Sequence, residues 1–136
     1  MKICEIINFD IIDQQVIFIQ GHKSKKEVIK NFGKRTKIRE FMEDALLDYD
    51  TLMNSTNGWV TTIKEGSTMI PILFMAQPIN PNDTKSLGVL AHELIHVLQQ
   101  IKKKYFPGTE EIEFDAYLYQ FLFEKILNMA KEKSNG

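Results

Sequence analysis

Residues 89–100 read VLAHELIHVLQQ, so His92 and His96, two of the chain's three histidines, stand four apart with Glu93 directly after the first. On an α-helix, positions i and i+4 stack on one face, which lets two imidazoles reach one cation at about 2.0–2.1 Å each. Glu93 would be turned about 100° from His92, which suits a base beside the ion better than a third ligand in line with the histidines. From there a carboxylate can take a proton from a coordinated water and return it to a leaving amine. Chance alone gives an HExxH in about one such sequence in a few hundred, so the motif needs support from its surroundings.

Helical phase supplies some. With His92 set at zero, Glu93, His96, Gln99, Gln100 and Lys103 share one sector, while Leu87, Leu90, Ala91, Leu94, Val97, Leu98 and Ile101 fill the opposite arc. The pattern predicts a helix over 83–104 that is anchored by its leucines and turns its histidines away from the anchor. A core helix that merely carries two histidines is the competing reading, and it would put them among the leucines.

A catalytic zinc site needs a third protein ligand and one open position. His22 lies in a Gly-His-Lys-Ser turn, where an exposed polar residue is the expectation. The acidic cluster Glu110, Glu111, Glu113 and Asp115 opens a final helix over 109–131, although acids there also suit the helix dipole without any metal. Glu113, Tyr117, Gln120 and Glu124 form one polar line on an otherwise apolar helix, so the line should meet a polar group inside or solvent in a cleft. Glu113 heads that line and is the first candidate, ahead of Glu110 and Asp115. Asp115 points about 200° from Glu113, so the two cannot serve one ion.

The elements that must hold these residues are legible in part. EIINF and QQVIFIQG read as strands joined through DIIDQ; Ser24 and Glu27 form a capping box for a short helix through VIKNF to Gly33. A second helix is expected over 36–50, and Asn57-Gly58 carries a hairpin signal. WVTTIKE and MIPILFMA read as strands around a Gly66-Ser67 turn. Pro71 cannot donate to a ladder, which predicts an edge or a bulge in the second of them. Residues 1–82 would thus supply strands and two helices and residues 83–131 two long helices, an α+β domain of 136 residues with a short mixed sheet packed on helices.

Composition sets the frame. A net charge of −1 asks for neither nucleic acid nor an anionic membrane, and the KSKK and KKK runs read as solvated faces. Cys4 is the only cysteine, which excludes an intrachain disulfide and a cysteine-built metal site. MKICEIINFD meets acid too early for a signal peptide, and no apolar run is long enough to span a bilayer, so a cytoplasmic protein is expected.

LAHELIHVLQQ followed by EIEFDAYLYQF resembles the zincin metallopeptidases of the gluzincin type, in particular small, often phage-encoded HExxH proteins whose second helix carries a Glu-x-x-Ala-Tyr element. The likeness covers 86–127. It is similar, more weakly, to the repressor-cleaving metallopeptidases of mobile elements. It has no metzincin-like continuation, because VLQQIKKKY follows His96. The resemblance implies a small zincin-like fold, Zn2+ held by His92, His96 and Glu113, and Glu93 as the base. It also implies a peptide or protein substrate held along a sheet edge, which MIPILFMA could supply. For the oxyanion, Tyr117 and Tyr105 are candidates, Tyr117 the first. The alternative is a non-hydrolytic regulatory protein of the same fold with a structural metal, acting on a host protein in the host cytoplasm.

Overall fold

The computed structural model describes residues 2–10, 12–32, 36–105 and 112–135. Segments rich in β-branched and aromatic residues form β1 (Ile3–Asn8), β2 (Gln15–Gln20), β3 (Gly58–Glu65) and β4 (Thr68–Met75). Between β2 and β3 lie α1 (Lys25–Lys30), α2 (Thr36–Ala45) and α3 (Tyr49–Ser55), and after β4 come α4 (Thr84–Tyr105) and α5 (Ile112–Asn135). The sheet order is β1-β2-β4-β3, with β2 and β4 parallel and the two outer pairs antiparallel. This is an α+β arrangement of a mixed four-stranded sheet packed on helices. Among the described residues, no helix is long and apolar enough to cross a membrane.

Alternation along the strands divides the interior in two. Ile17, Ile19, Ile72 and Phe74 join one core with Val28, Met42 and Tyr49 from α1–α3 and Leu46 from the bend between α2 and α3. Val16, Phe18, Leu73 and Met75 face the other way, into a core shared with Leu90, Leu94, Leu118 and Leu122 of α4 and α5. The two central strands are therefore covered on both faces, which is why QVIFIQ and PILFM read as nearly continuous apolar runs.

Several expectations are corrected. MIPILFMA is not an edge strand: β4 pairs with β2 on one side and β3 on the other, and β3 ends the sheet among the described residues. Pro71 is accommodated without a bulge. The Met69 and Met75 carbonyls accept from the Gln14 side chain and the Gly21 N–H, so the odd residues of β4 turn their backbone groups toward β2. The β2 ladder begins at Ile72, leaving the donor that Pro71 lacks at its open end. Asn57-Gly58 makes no hairpin; it leads from α3 into β3, while Gly66-Ser67 forms the expected turn with Gly66 at φ 57°.

The helix expected over 36–50 is two helices. The bend between them turns Tyr49 into the core, where its hydroxyl donates to the His22 carbonyl, and leaves Leu47 75% exposed. Ser24 caps α1 by accepting from the Glu27 N–H, and Glu27 reaches back to the Lys23 N–H. Gly33 lies outside the described residues.

Candidate metal centre

α4 is held by Leu90, Leu94, Val97, Leu98 and Ile101, all buried, and His92 and His96 are exposed on its other side. The leucine stripe thus does what its spacing predicts. The two imidazoles meet at their Nε2 atoms, 3.3 Å apart, with the rings at 75° to each other. Two Zn–N bonds of about 2.0–2.1 Å at a tetrahedral angle put their nitrogens about 3.3–3.4 Å apart, so the pair has the bite of a zinc site. Without a cation the same spacing allows one Nε2–H to donate to the other ring.

Gln99 Oε1, an acceptor only, lies 3.1 Å from His96 Nδ1. In the tautomer that carries its hydrogen on Nδ1 the two are hydrogen-bonded, and Nε2 of the neutral ring keeps its lone pair. Metal-bound histidines use an outer acceptor of this kind to fix their tautomer. Gln99 was visible one turn after His96, in the histidine sector, but spacing alone does not mark it as a support.

Glu93 does not share the histidines' exposure. At about 100° from His92 it stands at the seam between the outward sector and the leucine stripe, and the sheet covers it, leaving 7% of its surface exposed. Beneath it lies Gly58, where a Cβ would come within 3.0 Å of the Phe74 carbonyl oxygen, 3.1 Å of Glu93 Cγ and 3.3 Å of Met75 Sδ. Glycine therefore makes room for the carboxylate against the strand. Burial raises the pKa of Glu93 above its ordinary carboxylate value, and the charges of His92 and His96 oppose that shift. Its Oε1 is 3.9 Å from His92 Nε2.

The strand beside Glu93 has one side on which no described strand pairs. The Asn57 carbonyl accepts from the Ala76 N–H at 3.0 Å, so Trp59, Thr61 and Ile63 turn their backbone groups toward β4. Gly58, Val60, Thr62 and Lys64 turn theirs outward. Among the described residues, an edge with no strand paired to it thus begins next to the buried carboxylate, on β3 rather than on β4.

The remaining candidates separate. Glu113 lies in the first turn of α5, and its side chain, like that of Tyr105, is outside the described residues, as is all of Glu110. Among the described residues no group of three His, Cys, Asp or Glu side chains is gathered around one point. Asp115 is engaged elsewhere, its Oδ2 accepting from Lys102 Nζ at 2.8 Å. Tyr117 donates to Asp10 Oδ1 at 2.5 Å, a bond that raises the phenol's pKa. Asp10 follows β1 at the end of the sheet where β4 begins, whereas Gly58 pairs with Met75 where β4 finishes. Gln120 and Glu124 are exposed and bonded to each other, so this part of the polar line faces solvent rather than a polar interior.

His22 is not the exposed turn residue expected. It is 3% exposed, accepting at Nε2 from Asn31 Nδ2 and donating from Nδ1 to the Gln20 carbonyl. Desolvation lowers its pKa below the ordinary imidazole value. Cys4 packs against the core under α1–α3, and burial pushes its thiol up to about 11, which makes it a poor nucleophile.

No protein-family model, curated protein or solved structure matches the chain.

Proposed function

We propose that the chain is a zinc-dependent peptidase of the zincin type. The observation that carries this reading is the convergence of His92 and His96 Nε2 at 3.3 Å beside a buried Glu93 carboxylate. The donor set suits zinc, since imidazole nitrogen is among its preferred ligands and the pair already has a tetrahedral bite. Glu113 is the third ligand in this proposal, on the strength of its position at the head of α5 and its likeness to the family element.

Bound zinc would polarise a scissile carbonyl and ease deprotonation of a water held at its open position. The chain's own residues do the rest. Glu93, made more basic by burial, accepts the proton and delivers it to the departing amine. Gln99 holds the His96 ring in the tautomer that leaves Nε2 free. The outward N–H and C=O groups of Val60 and Thr62 can pair with an extended peptide and align it past Glu93. Tyr117 has no assigned part in these steps, because its hydroxyl is committed to Asp10.

The test combines metal content with cleavage of a denatured protein mixture. Wild type should hold one zinc per chain, and His92→Ala and Glu113→Ala should lose it. Glu93→Gln should keep the metal while cleavage falls by about 10²–10⁴-fold. Undiminished cleavage by Glu93→Gln would sink the proposal. Metal retained with no cleavage by wild type would instead favour a structural site.

A further inference from the structure

Charge is segregated along this chain in a way that its net of −1 conceals. Residues 23–39 contain eight lysines and arginines and one acid, Glu27, a net of +7. The rest of the chain, nine basic against seventeen acidic residues out of 17 and 18 in all, has a net of −8. KSKK is therefore part of a longer basic stretch that continues through GKRTKIR. Asymmetry of this kind is an electrostatic footprint that whole-chain balance does not report.

The fold brings described parts of this stretch together. A groove of about 540 Å³ between α1, α2 and the start of α3 is lined by Lys25, Lys26, Lys30 and Arg39, with Glu43 and Asp50 on its acidic side. The acids are turned to Lys25: Glu43 lies 3.7 Å from its Nζ and Asp50 accepts from its backbone N–H. Lys26, Lys30 and Arg39 are exposed, with no acidic partner within 4.0 Å among the described residues. These helices cover the sheet face opposite α4, so a ligand here leaves His92 and His96 open.

We propose that this basic groove binds the sugar-phosphate backbone of nucleic acid, without reading its sequence. The lining decides between partners. Among the described lining residues the one apolar member, Ile29, is buried, and protein–protein interfaces are depleted of charge at their cores. Phosphate contacts need no apolar core. Phe32 and Tyr49, which adjoin the groove in sequence, are also buried, so among the described residues no exposed aromatic there offers a stacking platform for bases. An anionic membrane is disfavoured because, among the described residues, the exposed large apolar side chain near these helices, Leu47, is flanked by Asp44 and Asp48.

Fluorescence anisotropy with a labelled mixed-sequence DNA, duplex and single-stranded, tests this on the full chain. Binding should weaken by about 100-fold between about 50 and 200 mM salt, as for about four phosphate contacts. The triple variant Lys26→Glu, Lys30→Glu, Arg39→Glu should bind at least about ten-fold more weakly at low salt. Lys125→Glu with Lys131→Glu, exposed on α5, should match wild type. If the triple reversal disturbs the thermal midpoint, the corresponding glutamine variants replace it. No binding at about 50 mM salt, equal loss in the α5 variants, or equal affinity for polyglutamate or phosphatidylserine vesicles would each overturn the proposal.

Discussion

At the scale of single residues, the motif's spacing gave the stacking of His92 and His96 directly, because four residues on a helix fix their common face. The burial of Glu93 was not available from the same rule. It depends on Gly58, thirty-five positions earlier, whose missing side chain lets the carboxylate lie against the strand. His22 escaped for a similar reason, since its partners Asn31 and Tyr49 come from α1's end and α3, and no local pattern announces them. Gln99 is the residue whose role is most open to direct measurement. Gln99→Ala removes the acceptor for His96 Nδ1 from an exposed position, so folding should be unaffected while zinc affinity drops by about 10–100-fold in a competition assay with a chelator. An unchanged affinity would mean that the tautomer is fixed without it.

Among the elements, long periodic helices and strands with a clear alternation were legible, and α4 and α5 stand near where their apolar spacing put them. Strand order was not. Nothing local in MIPILFMA says that β2 will pair along its far side, and Pro71 suggested the reverse. The break between α2 and α3 was hidden too, because Tyr49 continues the helical spacing of Ala45 and Leu46 while its burial requires a bend. The assignment of β3 as the edge gives a paired test. Proline at Thr61 removes an N–H directed at Ile72 and should cost about 1–3 kcal/mol, read from the urea midpoint. Proline at Thr62 removes an outward N–H and should cost clearly less, while weakening the pairing of an extended peptide with that edge. Equal losses of stability would show that the strand's outward side is wrongly assigned.

For the molecule as a whole, one titration links the side of the sheet under α1–α3 to stability. Unfolded, His22 has the ordinary imidazole pKa of 6.5; folded, burial holds it lower. As pH falls, the unfolded chain takes up the proton first, so the stability from this group is full above about 6.5 and is lost as pH drops through the folded value. Thermal midpoints should therefore decline from about pH 7.5 to pH 5.5 in wild type and decline less in His22→Gln. A slope unaltered by that substitution would assign the acid sensitivity to other groups. The parallel seam from Ile17↔Ile72 to Gln20↔Met75 has a further meaning for how quickly the chain reaches this state. The hairpin of β1 and β2 can close early from neighbouring residues, but two strands alone are marginal in water. Its lasting partner, β4, arrives only after three helices and β3 have been threaded between them. The entropy of closing that long loop must be met before either core repays it. Substitutions along the seam are therefore expected to slow folding more than those in the helix that carries the histidines, as stopped-flow refolding would read.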